Sequence, residues 1–388
     1  MAPRLTAPDR RALEALIEEA LNKELLRGFG ESRVSVALAG DRGASGASTF
    51  AATAKVHFFV KQNVDPEQAR AERDGYDLLQ DDAAPKFRER LVPPIIPSSG
   101  YPVMLFPQLG GGYYETLHDW VSGSASQERK LTLYRAILES FLNDLWIPSA
   151  SPEPADLKKI YRARSHERAK SLVRLLGSDV DYRKLTIQIN GSGMGRLGDY
   201  IDVVDEFCAS AIVTPSCTIH GDEHPRNIMV DPQDDWVVVD YASARRKADW
   251  VYSLAKALHW WRVYYCLDNA RRDGDLLSDL DAKVRLSPDK KTLHLRYNEG
   301  AHRQALTPIC ALFENQVRDV GKQASSHFDD PQWQSRLSLA YFAVVLGNTT
   351  ALLKDRPKKN RFVVPAMLHS ALRGLNGGSL FEPGDSDP

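Results

Sequence analysis

Two hydrophobic periods succeed one another along this chain. Over 6–27, Leu13, Leu16, Ile17, Ala20, Leu21 and Leu25 recur at three- and four-residue steps, the spacing of one helix face. Thr6 with Asp9 fits the start of such a helix, and Gly28 and Gly30 fit its end. Strand-like runs follow at 34–39, 48–54 and 56–62, then a helical stretch at 66–80 with Pro66 suited to its first turn. An apolar strand over 101–109 opens into Gly110-Gly111-Gly112. From Glu115 onward the period is mostly helical, over 127–145, 156–176, 197–210, 250–267, 296–322, 331–353 and 363–375. The pattern therefore predicts an amphipathic helix at 1–27, a small strand-rich lobe at 28–109, a larger helical lobe at 110–375 and a flexible tail at 376–388, rich in Gly, Ser, Asp and Pro. No internal repeat is visible.

One stretch breaks the helical half. Ile219-His220-Gly221-Asp222-Glu223-His224-Pro225-Arg226-Asn227 is followed by the short apolar run Ile228-Met229-Val230, a turn-forming Asp231-Pro232-Gln233-Asp234-Asp235, and a second run, Trp236-Val237-Val238-Val239, that stops at Asp240. If the two runs pair as a hairpin, Asn227 and Asp240 sit side by side at its open end. Two oxygen donors on rigid backbone can share a magnesium ion. Asp222, one loop earlier, can face the same spot as a base. Phosphoryl transfer asks for this set, since the protein must position the nucleophile and neutralise phosphate charge. The plainer reading has Asp222 and Asn227 capping a turn and Asp240 ending a strand; the full spacing with the hairpin pattern favours chemistry.

Upstream, Gly40 to Ala47 is a glycine-rich turn between two strands, and Gly43, Ser45, Gly46 and Ala47 can bring backbone N–H groups close to phosphates. Lys61, at the end of the strand Phe58-Phe59-Val60, can reach back to the same phosphates. On the following helix Glu72 and Glu67 both compete to pair with Lys61.

The stretch His220, Gly221, Asp222, His224, Pro225 and Asn227 resembles, residue for residue, the aminoglycoside phosphotransferase and choline kinase branch of the protein-kinase-like fold. The resemblance covers about residues 34–265. It implies an α+β, two-lobed fold with a small antiparallel N-lobe and a larger, mostly helical C-lobe, with ATP (or GTP) between them. It implies Asp222 as catalytic base and Asn227 and Asp240 as Mg2+ ligands. It selects Glu72, seven residues before Leu79, as the partner of Lys61, and it places Phe106 to Leu109 at the adenine. It also implies that Asp249 caps a helix and braces the catalytic loop. Three residues depart from the family pattern: Glu223, Arg226 and Tyr241. The first two could alter the loop's surface and so bear on substrate identity.

Bulk properties narrow the partners. Hydrophobic content is 43%, charged content 26% and formal net charge -1 over 388 residues, ordinary values that disfavour a chain-wide preference for nucleic acid or membrane. No run approaches the length of a membrane span, and Met1 to Arg10 leads into no apolar signal core. Four cysteines without metal or disulfide spacing fit a reducing cytoplasm. The segment 156–184 is basic, with Arg162, Arg164, Arg168, Arg174 and Arg183 among its cations. A basic surface near the acceptor would repel polycationic aminoglycosides and favour a neutral or anionic small-molecule hydroxyl acceptor; a solvated helix face is the commoner fate of such a run. Gly193-Met194-Gly195-Arg196-Leu197-Gly198 fits the dinucleotide fingerprint and follows a strand-like run at 185–189, but no repeated strand–helix–strand units surround it, so a loop entering a helix is expected. The expected function is an ATP-dependent kinase of a small-molecule hydroxyl. The alternative is a kinase-like nucleotide-binding module that regulates or scaffolds a protein assembly. A protein substrate is disfavoured, because 242–249 is too short for an activation segment.

Overall fold

The computed structural model describes residues 15, 38–42, 48–53, 57–62, 66–94, 103–107, 115–354, 362–378 and 380–381. The chain forms two compact units, one from Met1–Gly123 with Pro225–Ala244, the other from Ser124–His224 with Arg245–Pro388. The expected 6–27 helix, apart from Ala15, and Gly110 to Gly112 lie outside the described residues, as does most of the tail.

In the smaller unit, β1 (Leu38–Arg42), β2 (Ser48–Thr53), β3 (His57–Gln62) and β4 (Val103–Pro107) form an antiparallel sheet in that order. The expectation that the first strand ends at Ala39 is corrected. Gly40, Asp41 and Arg42 pair with Phe50, Thr49 and Ser48, because a ladder needs only backbone groups and glycine supplies them as well as any residue. Helix Pro66–Asp82 comes next and buries Glu72, Gly75 and Leu79 along one stripe. A second sheet, in which β5 (Glu115–Thr116) flanks the later hairpin strands β9 (Ile228–Val230) and β10 (Trp236–Val238), runs in the order β10-β9-β5.

The larger unit is built on helix Trp333–Lys354, which packs against helices Val251–His259, Val363–Leu375 and Ala163–Leu175. It is buried on nearly every side, as its apolar sequence demands. This helix corrects the reading that no run approaches membrane-span length: by length and composition it could cross one. Since 78% of its apolar stretch is buried inside the protein, it is a core helix.

The helical half also holds a sheet, of which the sequence showed only the strand-like run 185–189. β6 (Thr186–Ile189), β7 (Ser192–Arg196), β12 (Lys283–Leu286) and β13 (Thr292–Arg296) form a sheet in the order β12-β13-β6-β7. The expected helix from Arg296 is corrected: Leu293 and Leu295 alternate inward with exposed His294 and Arg296, the two-residue period of a strand. Helices Glu299–Ala305 and Pro308–Phe328 begin only after it. The glycine-rich stretch at 193–198 is also corrected. Ser192–Arg196 is itself a strand, antiparallel to β6, and helix Leu197–Ser210 begins at once, so no phosphate loop separates strand from helix. Gly198 serves packing: a Cβ there would lie 2.4 Å from the Arg183 carbonyl oxygen.

Candidate active site

In the larger unit, strand β8 (Cys217–Ile219) is wholly buried and delivers the chain to His220, also buried. Gly221 turns the backbone at φ +80°, a conformation costly for residues with a Cβ. Asp222 comes next with its side chain 26% exposed, and its carbonyl accepts from the His224 N–H at 2.8 Å. Lys256, one turn into helix Val251–His259, donates from Nζ to Asp222 Oδ1 at 2.8 Å, and His224 Nε2 stands 3.4 Å from Oδ2. Burial pushes the Asp222 carboxyl up, but the His224 imidazole and the Lys256 ammonium outweigh it and hold it well below the usual carboxylate range. Burial likewise opposes the charge on Lys256, and Asp222 overcomes it. His224 stacks on Trp260 at 4.5 Å, which fixes the ring plane.

Glu223 does not alter the loop's surface, contrary to the expectation. It is buried and accepts from Ser253 Oγ at 2.6 Å, so it ties the loop to the helix that carries Lys256. Arg226 is exposed.

In the smaller unit, the hairpin forms over the residues expected, with Ile228 to Val230 paired to Val238 to Trp236. The Val239 N–H donates to the Asn227 carbonyl at 3.0 Å, so the ladder reaches Asn227 and Asp240 begins one residue beyond it. Asn227 is buried, and Asp240 adopts a left-handed backbone, φ 72° and ψ 65°. Such a backbone costs a β-carbon residue about 1–2 kcal/mol, and hydrogen bonds to the next two residues hold it here. Glu72, fully buried, accepts from the Tyr241 N–H at 2.8 Å and the Ala242 N–H at 3.2 Å. The Tyr241 hydroxyl accepts from the Val92 N–H at 2.7 Å. Gly75 lets the helix approach, since a Cβ there would sit 2.0 Å from the Tyr241 carbonyl oxygen.

Of the remaining expected residues, Lys61 lies on β3, in register with Thr49 and Met104, and Phe106 lies on β4 opposite Phe59. Gly43, Ser45, Gly46, Ala47 and Leu109 lie outside the described residues. Glu67 is exposed in the first turn of the helix on which Glu72 is buried.

Two features escape a reading of the sequence. Lys256 is a lone cation in an otherwise apolar helical run, a signal that was available. Asp249 does more than cap a helix. Its carboxylate accepts from the Val251 N–H at 3.1 Å, from the Tyr161 hydroxyl at 2.8 Å, and from Arg336 Nε at 2.9 Å and Nη2 at 3.2 Å. Arg336 also pairs with Asp330. Its distance in sequence gives no hint of this. Two surface cavities of about 420 and 400 Å3 lie elsewhere, one lined by Phe207, Ile212 and Asp329, the other by Lys170, Arg174 and Tyr182.

Residues 41–264 match the model of the phosphotransferase enzyme family. The chain belongs to that family. Among solved structures, this phosphotransferase family member is similar to a thermostable mutant of aminoglycoside phosphotransferase APH(4)-Ia in its apo form, with TM-score 0.53 and 11% identity, covering 93% of this chain and 100% of that one. A further mutant of that enzyme, in ternary complex with ADP and hygromycin B, gives TM-score 0.51 at 12% identity over 92% of this chain and 98% of the other. Choline kinase LicA from Streptococcus pneumoniae gives TM-score 0.47 at 10% identity over 95% and 100%. No curated protein matches the sequence. The fold is the two-lobed protein-kinase-like α+β fold, with a small antiparallel N-lobe and a larger, mostly helical C-lobe.

Proposed function

We propose that this protein is an ATP-dependent phosphotransferase that moves the γ-phosphate to a hydroxyl of a small-molecule acceptor, with Asp222 as the base and Asn227 and Asp240 holding Mg2+. The observation that carries the reading is the state of Asp222: ionised, partly exposed, and steered by Lys256 and His224. A carboxylate with so low a pKa is a weak base toward a free alcohol. In a loose phosphoryl-transfer transition state the hydroxyl grows acidic only as its bond to phosphorus forms, so Asp222 orients the hydroxyl first and takes its proton late. The ion pair with Lys256 keeps the carboxylate charged and in one rotamer until then.

The carboxamide of Asn227 and the carboxylate of Asp240 are hard oxygen donors, which suits magnesium. Among the described residues no group of three or more His, Cys, Asp or Glu could hold a metal alone, so in this reading phosphate oxygens and water complete the shell. The ion, when bound, neutralises developing phosphate charge. Glu72 would hold the segment after Asp240 in place through its two backbone acceptor bonds. Lys61, the glycine-rich turn and the β4 end near Phe106 are assigned to the nucleotide, ATP or GTP. The presence of ADP in a structure of the same fold supports a nucleotide donor. A reducing, cytoplasmic setting accords with four buried free thiols.

The test is Asp222→Ala. Phosphate transfer, read as acceptor-dependent ADP release, should fall about 10²–10⁴-fold with nucleotide affinity nearly intact. Asn227→Ala and Asp240→Ala should instead weaken magnesium-dependent nucleotide binding. Transfer that survives Asp222→Ala would remove Asp222 from the role.

A further inference from the structure

A chain of polar side chains that the phosphotransferase reading does not use joins three elements of the larger unit. His166, on helix Ala163–Leu175, has both ring nitrogens engaged. Its Nε2 lies 2.8 Å from Asp205 Oδ1 on helix Leu197–Ser210, and its Nδ1 lies 2.7 Å from the hydroxyl of Tyr182, in the short turn Tyr182–Lys184. Arg162 Nε at 3.1 Å and Arg183 Nη2 at 3.0 Å meet the same carboxylate. Burial pushes the Asp205 carboxyl up, but the His166 hydrogen bond and the His166 and Arg162 charges outweigh it and hold it below its ordinary value. An ionised carboxylate only accepts, so His166 Nε2 carries a proton. In the neutral imidazole Nδ1 is then a lone pair, and the Tyr182 hydroxyl donates to it. Carboxylate, imidazole and hydroxyl in that order are an orienting group, a base and a nucleophile. A chain that only tied helices together would need no opening at its end. Tyr182 is half-buried and lines the cavity of about 400 Å3, with Lys170 and Arg174 on its wall. His166, Lys170 and Arg174 stand at four-residue steps on one face of a single helix. Among the described residues neither cation makes an ion pair. The acids beside them are already engaged: Asp179 pairs with Lys290 at 3.5 Å, and Asp181 Oδ1 accepts from the Arg183 N–H at 3.0 Å.

We propose that Tyr182 is a nucleophilic modification site for small acyl phosphates, with His166 as its base and Lys170 and Arg174 holding the phosphate. The site is independent of the phosphotransferase reading. The Tyr182 oxygen attacks the acyl carbon while its proton passes to His166 Nδ1. The bond from the acyl carbon to the phosphate oxygen breaks, and the phosphate leaves with the electron pair. His166 then returns the proton to the leaving phosphate, so an acyl-tyrosine ester and hydrogen phosphate are formed and the imidazole is neutral again. Asp205 steadies the imidazolium between the two proton transfers. The two cations serve twice, since they hold the anionic end of the donor and then the charge that grows on it as it leaves.

The experiment treats the full-length protein with acetyl phosphate and maps acetyl groups by mass spectrometry, with hydroxylamine to remove those on tyrosine and spare those on lysine. Tyr182 should be acetylated about tenfold or more faster than any other tyrosine, and His166→Gln should slow it by about 10²-fold. Labelling of Tyr182 no faster than of other tyrosines, or at the wild-type rate in a folded His166→Gln, overturns the proposal. A second variant keeps the test independent of the relay. Lys170→Gln with Arg174→Gln changes only exposed side chains, and should lower the rate with acetyl phosphate about tenfold relative to the rate with the uncharged donor N-acetylimidazole. An unchanged ratio between the two donors removes the cations from the site and overturns the acyl phosphate assignment. A phosphoryl group found on Tyr182 in place of an acetyl group overturns it as well, because the attack would then fall on phosphorus.

Discussion

Asp222 and Asp249 belong to the same helical unit, and each is met by a long cation, Lys256 in one case and Arg336 in the other. Their surroundings differ in kind. Asp249 is fully buried and bonded by a guanidinium, a phenol and a backbone N–H, with Arg336 4% exposed. Asp222 keeps about a quarter of its side chain open to solvent, and its partner keeps 21%. A carboxylate whose oxygens are all engaged in a dry interior can only hold structure together. One that keeps an open edge beside an ammonium and an imidazole stays within reach of a small molecule. The comparison shows how one chemical group, met by a long cation in both places, is sealed as a brace in one and left accessible in the other.

The largest effect should come from removing the open carboxylate, since Asp222→Ala costs activity by orders of magnitude while changing stability little. The brace should respond in reverse. Arg336→Leu leaves Asp249 and Asp330 facing each other without a cation, and denaturant unfolding should show a loss of about 3–5 kcal/mol. Adding Asp249→Asn to that variant should recover part of it, because less charge is then left unpaired. If Arg336→Leu unfolds at the wild-type midpoint, the buried cluster is not what holds these helices.

A sharper probe is Lys256→Met. With the ammonium gone, burial of Asp222 is opposed by less charge, and its pKa should rise. The acid limb of the pH–rate profile should move up with it, with folding intact by circular dichroism. An unmoved limb would mean that Lys256 does not set the charge on Asp222.

The smallest expected effect lies behind this site. Burial, followed by the Lys256 and His224 charges, pushes His259 down to about 3, and burial pushes His302 down to about 4. Both are neutral when folded and take up protons at about 6.5 when unfolded. Their contribution to stability is therefore complete above that value and is lost as pH falls through it toward the folded values, at up to about 1.4 kcal/mol per pH unit for each group. His259→Phe should reduce the slope of unfolding free energy against pH between pH 6 and 4. An unchanged slope would assign the acid sensitivity elsewhere.

Much of the fold was legible because period alone decides it. The hairpin from Ile228 to Val238 is bounded by turn residues, and helix Leu197–Ser210 matches the predicted span. What failed were the strands β7, β12 and β13 of the helical half; in β13, Leu293 and Leu295 gave too short an alternation to outweigh their helical surroundings. Glu72 accepts from the two N–H groups after Asp240, a role that the sequence reading does not assign it. No spacing rule could predict that, since the acceptor lies on a helix and the donors on a distant loop.

The sequence by itself determined the chemistry on offer: the acids and the amide at fixed spacing, the hairpin between Asn227 and Asp240, and the glycine that turns the chain before Asp222. Tertiary structure decided which charges meet. Lys256 and Asp222 come from separate elements, and only packing brings them together while it seals Asp249 with the distant Arg336. The reason is physical: local pattern fixes dihedral angles and faces, whereas electrostatic environment depends on burial and on neighbours remote in the chain.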